Sequence, residues 1–218
     1  MASTDNKLFR EVTAQLMLAE MTKQSNYLAQ LTCEATNGLK ESSGAGLHNS
    51  FFSGKNLGSA LTAAQSAEIR AGTFGDLFVG DYWPMTVTYE YKDANDVTQT
   101  ATATVNFRIA GCDYYLHTGD SDLTTHHLVI VPDSILYTAK MNAENVTTGA
   151  YVGSEMYTKN LARAKALITA AFGSGHLLTH RELLHNAVKD GRPSGGAWFN
   201  SNVELMTEQM VYLAVLAL

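Results

Sequence analysis

An α+β fold is predicted for this 218-residue chain by three features of its sequence. Between Val87 and Ile109 apolar residues alternate with Thr, Glu and Asn. That period of two marks an antiparallel hairpin with one buried and one wet face. Residues 154–173 instead repeat apolar side chains at helical spacing, and strand and helix signals follow one another without the regular alternation of a parallel sheet. The expected organisation is an N-terminal helical arm (1–35), a Gly/Ser linker (36–50) and a compact mixed body (51–218). In the body the hairpin accompanies a central buried strand and flanking helices.

In the arm, Asp5 is placed to cap a helix whose apolar stripe begins Phe9, Val12, Leu16, Ala19 and continues through Met17, Met21, Leu28 and Leu31. The stripe suits either a docking helix or a helix packed on its own domain. "TNGLKESSGAGLHNS" (36–50) breaks the period with Gly and Ser, as a flexible linker does. "LTAAQSAEIRAG" (61–72) reads as a short helix: Thr62 and Gln65 make a capping box and Gly72 is suited to the left-handed stop. "DLFVGDYW" (76–83) reads as a strand, and the hairpin follows around the turn "KDAND".

"HLVIVPD" (127–133) is continuously apolar, the pattern of a central strand covered on both faces and ended by Pro132. In "SEMYTKNLARAKALITAAFG" (154–173), Leu161, Ala164, Leu167, Ile168 and Ala171 share a helix face. "HLLTH" (176–180) is a short strand candidate. Thr179 and Glu182 resemble a second capping box, opening a helix at "HRELLHNAV", and "DGRPSGGAWFNS" (190–201) reads as a loop. The chain closes on the apolar "VELMTEQMVYLAVLAL".

The composition excludes several classes of function. A formal charge of −6 leaves no basic face for phosphate contacts, so nucleic acid is not an expected partner. No run of Lys or Arg suits an anionic membrane surface, and the apolar run 210–218 is about half a membrane span. The N-terminus lacks a secretory pattern, so synthesis in a cytoplasm is expected. Cys33 and Cys112, far apart in sequence, read as two free and largely buried thiols.

Histidines other than His48 fall in two groups: His117, His126 and His127, then His176, His180 and His185. None of their spacings matches a zinc pattern. Adjacent His126 and His127 at a strand entrance are expected to face opposite ways. Asp120 and Asp122 lack the Gly and the closing Glu of an EF-hand and read as a solvated turn. There is no nucleophile elbow or phosphate loop, and Cys112 follows a strand that buries it. Neither a cofactor nor an enzyme is indicated. The aromatics of "GDYW" and "AWF" remain: Tyr82, Trp83, Trp198 and Phe199 either line a glycan or protein groove or close the core beneath loops.

Several segments, in order, carry a resemblance: "GKNLGSALTAAQSAEIRAGTFGDLFVGDYW", "RIAGCDYYLHTGDSDLTTHHLVIVPDSILYTAKMN", "NVTTGAYVGSEMYT", "AFGSGHLLTHRELLHNAV" and "WFNSNVELMTEQMVY". Across residues 50 to about 212 the chain resembles a family of tailed-bacteriophage structural proteins, those of tail, fibre or head, from phages of gut Firmicutes. More remotely it is similar to the sulfatase-modifying and C-type-lectin-like domains. The resemblance implies a virion component without catalytic residues, a homo-oligomer whose partners are other virion proteins. Phe9, Val12 and Leu16 of the arm, with the aromatic pairs, are the expected contacts. The alternative it implies is a fibre module that binds a host surface glycan or receptor, on a partial C-type-lectin-like fold. Family chains run on past a segment like "MTEQMVY" into a lectin-like half. Here Leu213 stands where they have Gly. If the lectin-like half is absent, a ligand site built from it is absent too, and the apolar end needs cover from the body or a neighbouring subunit. That expectation favours assembly over sugar binding.

Overall fold

The computed structural model describes residues 15–25, 27, 28, 44–93 and 95–206. The chain divides into two units, Met1–Ser43 and Gly44–Leu218. In the first, residues 15–25 form helix α1, where the Thr22 hydroxyl donates back to the Leu18 carbonyl at 2.8 Å. Asp5, Phe9, Val12, Leu31 and Cys33 lie outside the described residues, as does the closing segment from 207 onward.

The second unit is α+β, built on a three-stranded antiparallel sheet in the order β1 (Tyr82–Lys92), β2 (Thr98–Cys112), β3 (Leu128–Pro132). The alternation in sequence becomes alternation in burial. Met85, Val87 and Tyr89 of β1 and Val105, Phe107 and Ile109 of β2 face the core. On the wet face, register partners Thr86 and Thr104 share a hydroxyl hydrogen bond at 3.0 Å, and Thr88 and Thr102 one at 2.8 Å. Such cross-strand pairs each add a few tenths of a kcal/mol, up to about 1. Helix α4 (Leu161–Phe172) packs across β1, and Phe172 meets Trp83 and Phe107 edge-on. A π-helical turn, Met156–Asn160, leads into it, and Gly173 takes φ +86° where it ends.

Helix α3 (Ala63–Ala71) follows its local code. The Thr62 hydroxyl accepts from Gln65 N–H at 3.2 Å, and Gln65 Oε1 accepts from Thr62 N–H at 3.0 Å. Gly72 stops it at φ +69°. A Cβ there would also sit 2.5 Å from the His126 ring, so packing and backbone both require glycine.

Five expectations are corrected. β3 is an edge strand, not the central one; β2 holds the centre, and β3 is half-buried along its length. Leu128 and Ile130 pack on the core while the alternate residues lie on the other face. Partial cover on both sides thus yields the same apolar run as a central position. Pro132 and an Arg108–Asp133 ion pair, two contacts of 2.6 Å, close its far end.

Residues 76–81 are turns rather than strand. The first β1 residue is Tyr82, and Val79 makes only an isolated parallel bridge to Phe52. The segment "HRELL" is not helical. It is strand β4 (His180–Leu184), antiparallel to β7 (Ala197–Ser201), which occupies the expected loop. A minimal hairpin, β5 (Ala187–Lys189) with β6 (Arg192–Ser194), lies between them. Pairing along the whole of β4 with β7 overrides the cap signal, because strand preference is set by the cross-strand neighbour rather than by the local code. Nor does the expected linker extend to residue 50. Ala45–Ser50 form helix α2, whose His48 is fully buried. His48 Nδ1–H donates to the Leu77 carbonyl at 2.6 Å, and the ring stacks on Phe78 at 4.6 Å.

Candidate functional site

The β4–β7 hairpin has two chemically different faces, because side chains alternate along each strand. Arg181, Leu183, Trp198 and Asn200 lie outward. His180, Glu182, Phe199 and Ser201 point inward, with His180 opposite Ser201 and Glu182 opposite Phe199. Leu183 and Trp198 are cross-strand partners and stay 58% and 38% exposed, an apolar pair in a polar surround.

Inward, the hairpin meets a layer of aromatic and titratable groups. The Tyr115 ring stacks on His180 with centroids 3.9 Å apart, and on its other neighbour His127 at 6.1 Å. His180 Nε2 and Glu182 Oε2 are buried 3.5 Å apart, and neither makes a hydrogen bond among the described residues. Glu204 accepts from the Ser201 hydroxyl at 2.7 Å and from the Tyr151 phenol at 2.5 Å. Tyr151 meets Tyr157 edge-on at 5.2 Å, and Tyr157 meets Phe199 at 6.4 Å. Burial pushes the Tyr115 and Tyr151 phenols well above the ordinary range, with Glu182 and Glu204 adding to it. Both therefore remain protonated donors at neutral pH.

Asp113 organises the loop that brings Tyr115 here. Its backbone is left-handed, φ 54°, a conformation Asp tolerates better than most residues. Its buried carboxylate accepts from His126 Nδ1–H at 2.7 Å and from His127 N–H at 2.9 Å. The two adjacent histidines thus converge on one carboxylate, yet differ in burial: His127 is inside and His126 is partly exposed.

Asp120 and Asp122, expected in solvent, are both engaged. Arg181 grips Asp120 through two bonds, 2.7 and 3.0 Å, and spans to Asn200 Oδ1 at 2.9 Å and the Trp198 carbonyl at 3.0 Å. Asp122 lies 3.0 Å from His117 Nδ1. The Arg181 guanidinium holds the Asp120 carboxyl below the usual carboxylate range. Being exposed, this strap orders the loop without contributing much to global stability. Arg181→Ala should raise amide exchange across 117–123 and leave the urea midpoint of the body unchanged, both measurable by exchange mass spectrometry and denaturation. A shifted midpoint would show that the strap supports the core.

The expected contact residues do not form one surface. Trp83 is fully buried in the sheet–α4 core, so it is withdrawn as a partner contact; its position in "GDYW" beside a loop is shared by core and surface tryptophans alike. Tyr82 is half-buried with the Arg108 guanidinium 5.0 Å from its ring centroid. Phe199 belongs to the inner layer, and Trp198 alone of the four lies on the outer face. Leu16 is exposed on α1. Phe9 and Val12 lie outside the described residues.

Among the described residues no group of three or more His, Cys, Asp or Glu is arranged to hold a metal ion. No described helix is long and apolar enough to cross a membrane. Cys112 is free and buried, its thiol pushed up to about 12 chiefly by burial. No family model, curated protein or solved structure matches the chain.

Proposed function

We propose that the chain is a structural protein of a tailed-bacteriophage virion. It serves as an exposed or connecting component of head or tail, held in many copies through its N-terminal arm. The observation that carries this reading is α1. Leu16, Met17, Leu18 and Met21 are 63–67% exposed there, apolar surface of the kind that marks a protein interface. Particle components repeat by symmetry, so copies of this chain and other virion proteins are the natural partners. The ordered series of phage-like motifs supplies the biological setting. The acidic body agrees with a surface that meets protein rather than nucleic acid.

Purified virions should contain the chain in many copies by mass spectrometry. A chain lacking residues 1–43 should fold but be missing from particles; the cut spares α2, which belongs to the body. Finding the full chain only in infected-cell lysate would overturn the reading.

A second reading, a fibre module for a host surface glycan or receptor, draws support from Trp198. Its ring lies outward beside Leu183 and Asn200, a stacking surface next to a hydrogen-bonding amide.

A further inference from the structure

The geometry points to a pH-sensitive latch: protonation of the buried His127 releases Tyr115 from His180 and loosens the β4–β7 hairpin from the 113–127 loop. Both nitrogens of the His127 ring are committed in a single neutral tautomer. Nδ1–H donates to the Thr125 carbonyl at 3.0 Å, and Nε2 accepts the Tyr115 backbone N–H at 3.0 Å. A proton added at Nε2 sets two donors against each other where a hydrogen bond had been. The ring is 7% exposed, so little water is at hand to accept either one. Relief requires the Tyr115 backbone to move, and with it the ring stacked on His180 of β4.

The groups facing His127 leave the added charge poorly compensated. From its own loop come Asp113, with Oδ1 at 3.8 Å from Nδ1, and His126, which already binds the other oxygen of Asp113. The Tyr115 ring covers it, and beyond Tyr115, on β4, stand His180 and its neighbour Glu182. Burial is the largest influence and holds His127 below the ordinary histidine range. The Thr125 carbonyl and Asp113 oppose it, while His180 and His126 reinforce it.

The sign follows from that direction. In the released state His127 titrates as an ordinary imidazole near about pH 6.5, so release favours proton uptake. The latch is fully closed above about pH 6.5 and weakens as pH falls through that value toward the lower one of the closed state. Asp120 remains ionised on Arg181 throughout this window, so the strap tethers the hairpin while the inner layer opens.

Amide exchange of the full chain at about pH 7.5 and about pH 5.5, brackets of the imidazole titration, tests the latch once intrinsic exchange rates are divided out. Protection should fall severalfold, up to a ceiling of about tenfold for one imidazole released near about pH 6.5, in peptides covering 113–127 and 180–184. Peptides of β1 and β2 up to Phe107 should keep theirs. His127→Gln, which can accept and donate but does not titrate, should abolish the pH dependence; His180→Gln, which removes the stacked ring but not the titrating group, should retain it in peptides covering 113–127. Constant wild-type protection, the same loss in His127→Gln, or an equal loss throughout the sheet would each overturn the latch. Should His127→Gln fail to fold, nitrogen NMR of the wild-type imidazole decides. The His127 titration midpoint must coincide with the loss of protection, and a mismatch sinks the idea.

Discussion

Trp83→Ala is expected to lower the stability of the body by about 3–5 kcal/mol, the range for truncating a buried large aromatic. Trp83 is fully buried between the sheet and α4, edge-on to Phe172 at 5.8 Å. Its indole N–H also donates to Gln65 Oε1 at 3.3 Å, the oxygen that closes the α3 capping box on Thr62 N–H. The substitution therefore opens a cavity and removes one of two donors that position the cap. Trp83→Phe keeps most of the volume and should recover the larger part of the loss. Urea denaturation followed by far-ultraviolet circular dichroism measures both. Trp198, the other of the two tryptophans, reports the hairpin separately by fluorescence. A loss below about 1 kcal/mol for Trp83→Ala, typical of surface sites, would be incompatible with the core described.

Asp81→Ala should cost about 3 kcal/mol, for a different reason. Asp81 is fully buried, and its carboxylate accepts from Lys55 N–H at 2.7 Å and Phe78 N–H at 3.0 Å. Alanine leaves two backbone donors without this acceptor, at about 1–3 kcal/mol for each unsatisfied group. The consequence is local before it is global. These bonds fasten the 52–57 segment beside β1, where Asn56 and Tyr82 form a parallel bridge. Amide exchange should rise first in residues 52–57 and 76–81. Asp81→Asn retains one acceptor oxygen but turns an amide N–H₂ toward the second donor, so it should recover no more than half. Full recovery by asparagine would mean that the carboxylate's two-sided acceptance is not what holds the turn.

These two residues stand side by side with Tyr82 in "GDYW", yet their roles were not legible there. An aromatic beside a glycine turn is compatible with a surface groove and with a core, because the sequence does not show which layer covers it. Trp83 and Trp198 illustrate the point: similar local contexts, one ring enclosed by α4 and the other left outward on a two-stranded hairpin. The inner layer was equally hidden. Asp113, Tyr115, His126, His127, His180 and Glu182 were visible as separate polar and aromatic residues. Their convergence depends on the left-handed turn at Asp113 and on β4 pairing with a strand more than a dozen residues away. No periodicity reports a stack of that kind.

Where a structural choice is made within a few residues, the sequence by itself determined the outcome. The α3 capping box and its glycine stop, the two-residue alternation of β1 and β2, and the apolar face of α4 all appear as read, because each is a short-range backbone or pleat constraint. Tertiary structure alone decided that β3 lies at an edge, that "HRELL" is a strand despite its cap signal, and that α2 carries a buried His48 out of an apparent linker. It also turned "HTGDSDLTTHHLVIVPD" from a solvated turn into a loop gripped by Arg181 and latched through His127. The physical reason is common to all four. Burial and hydrogen-bond satisfaction are properties of the neighbour that arrives across the fold, and that neighbour is distant in sequence.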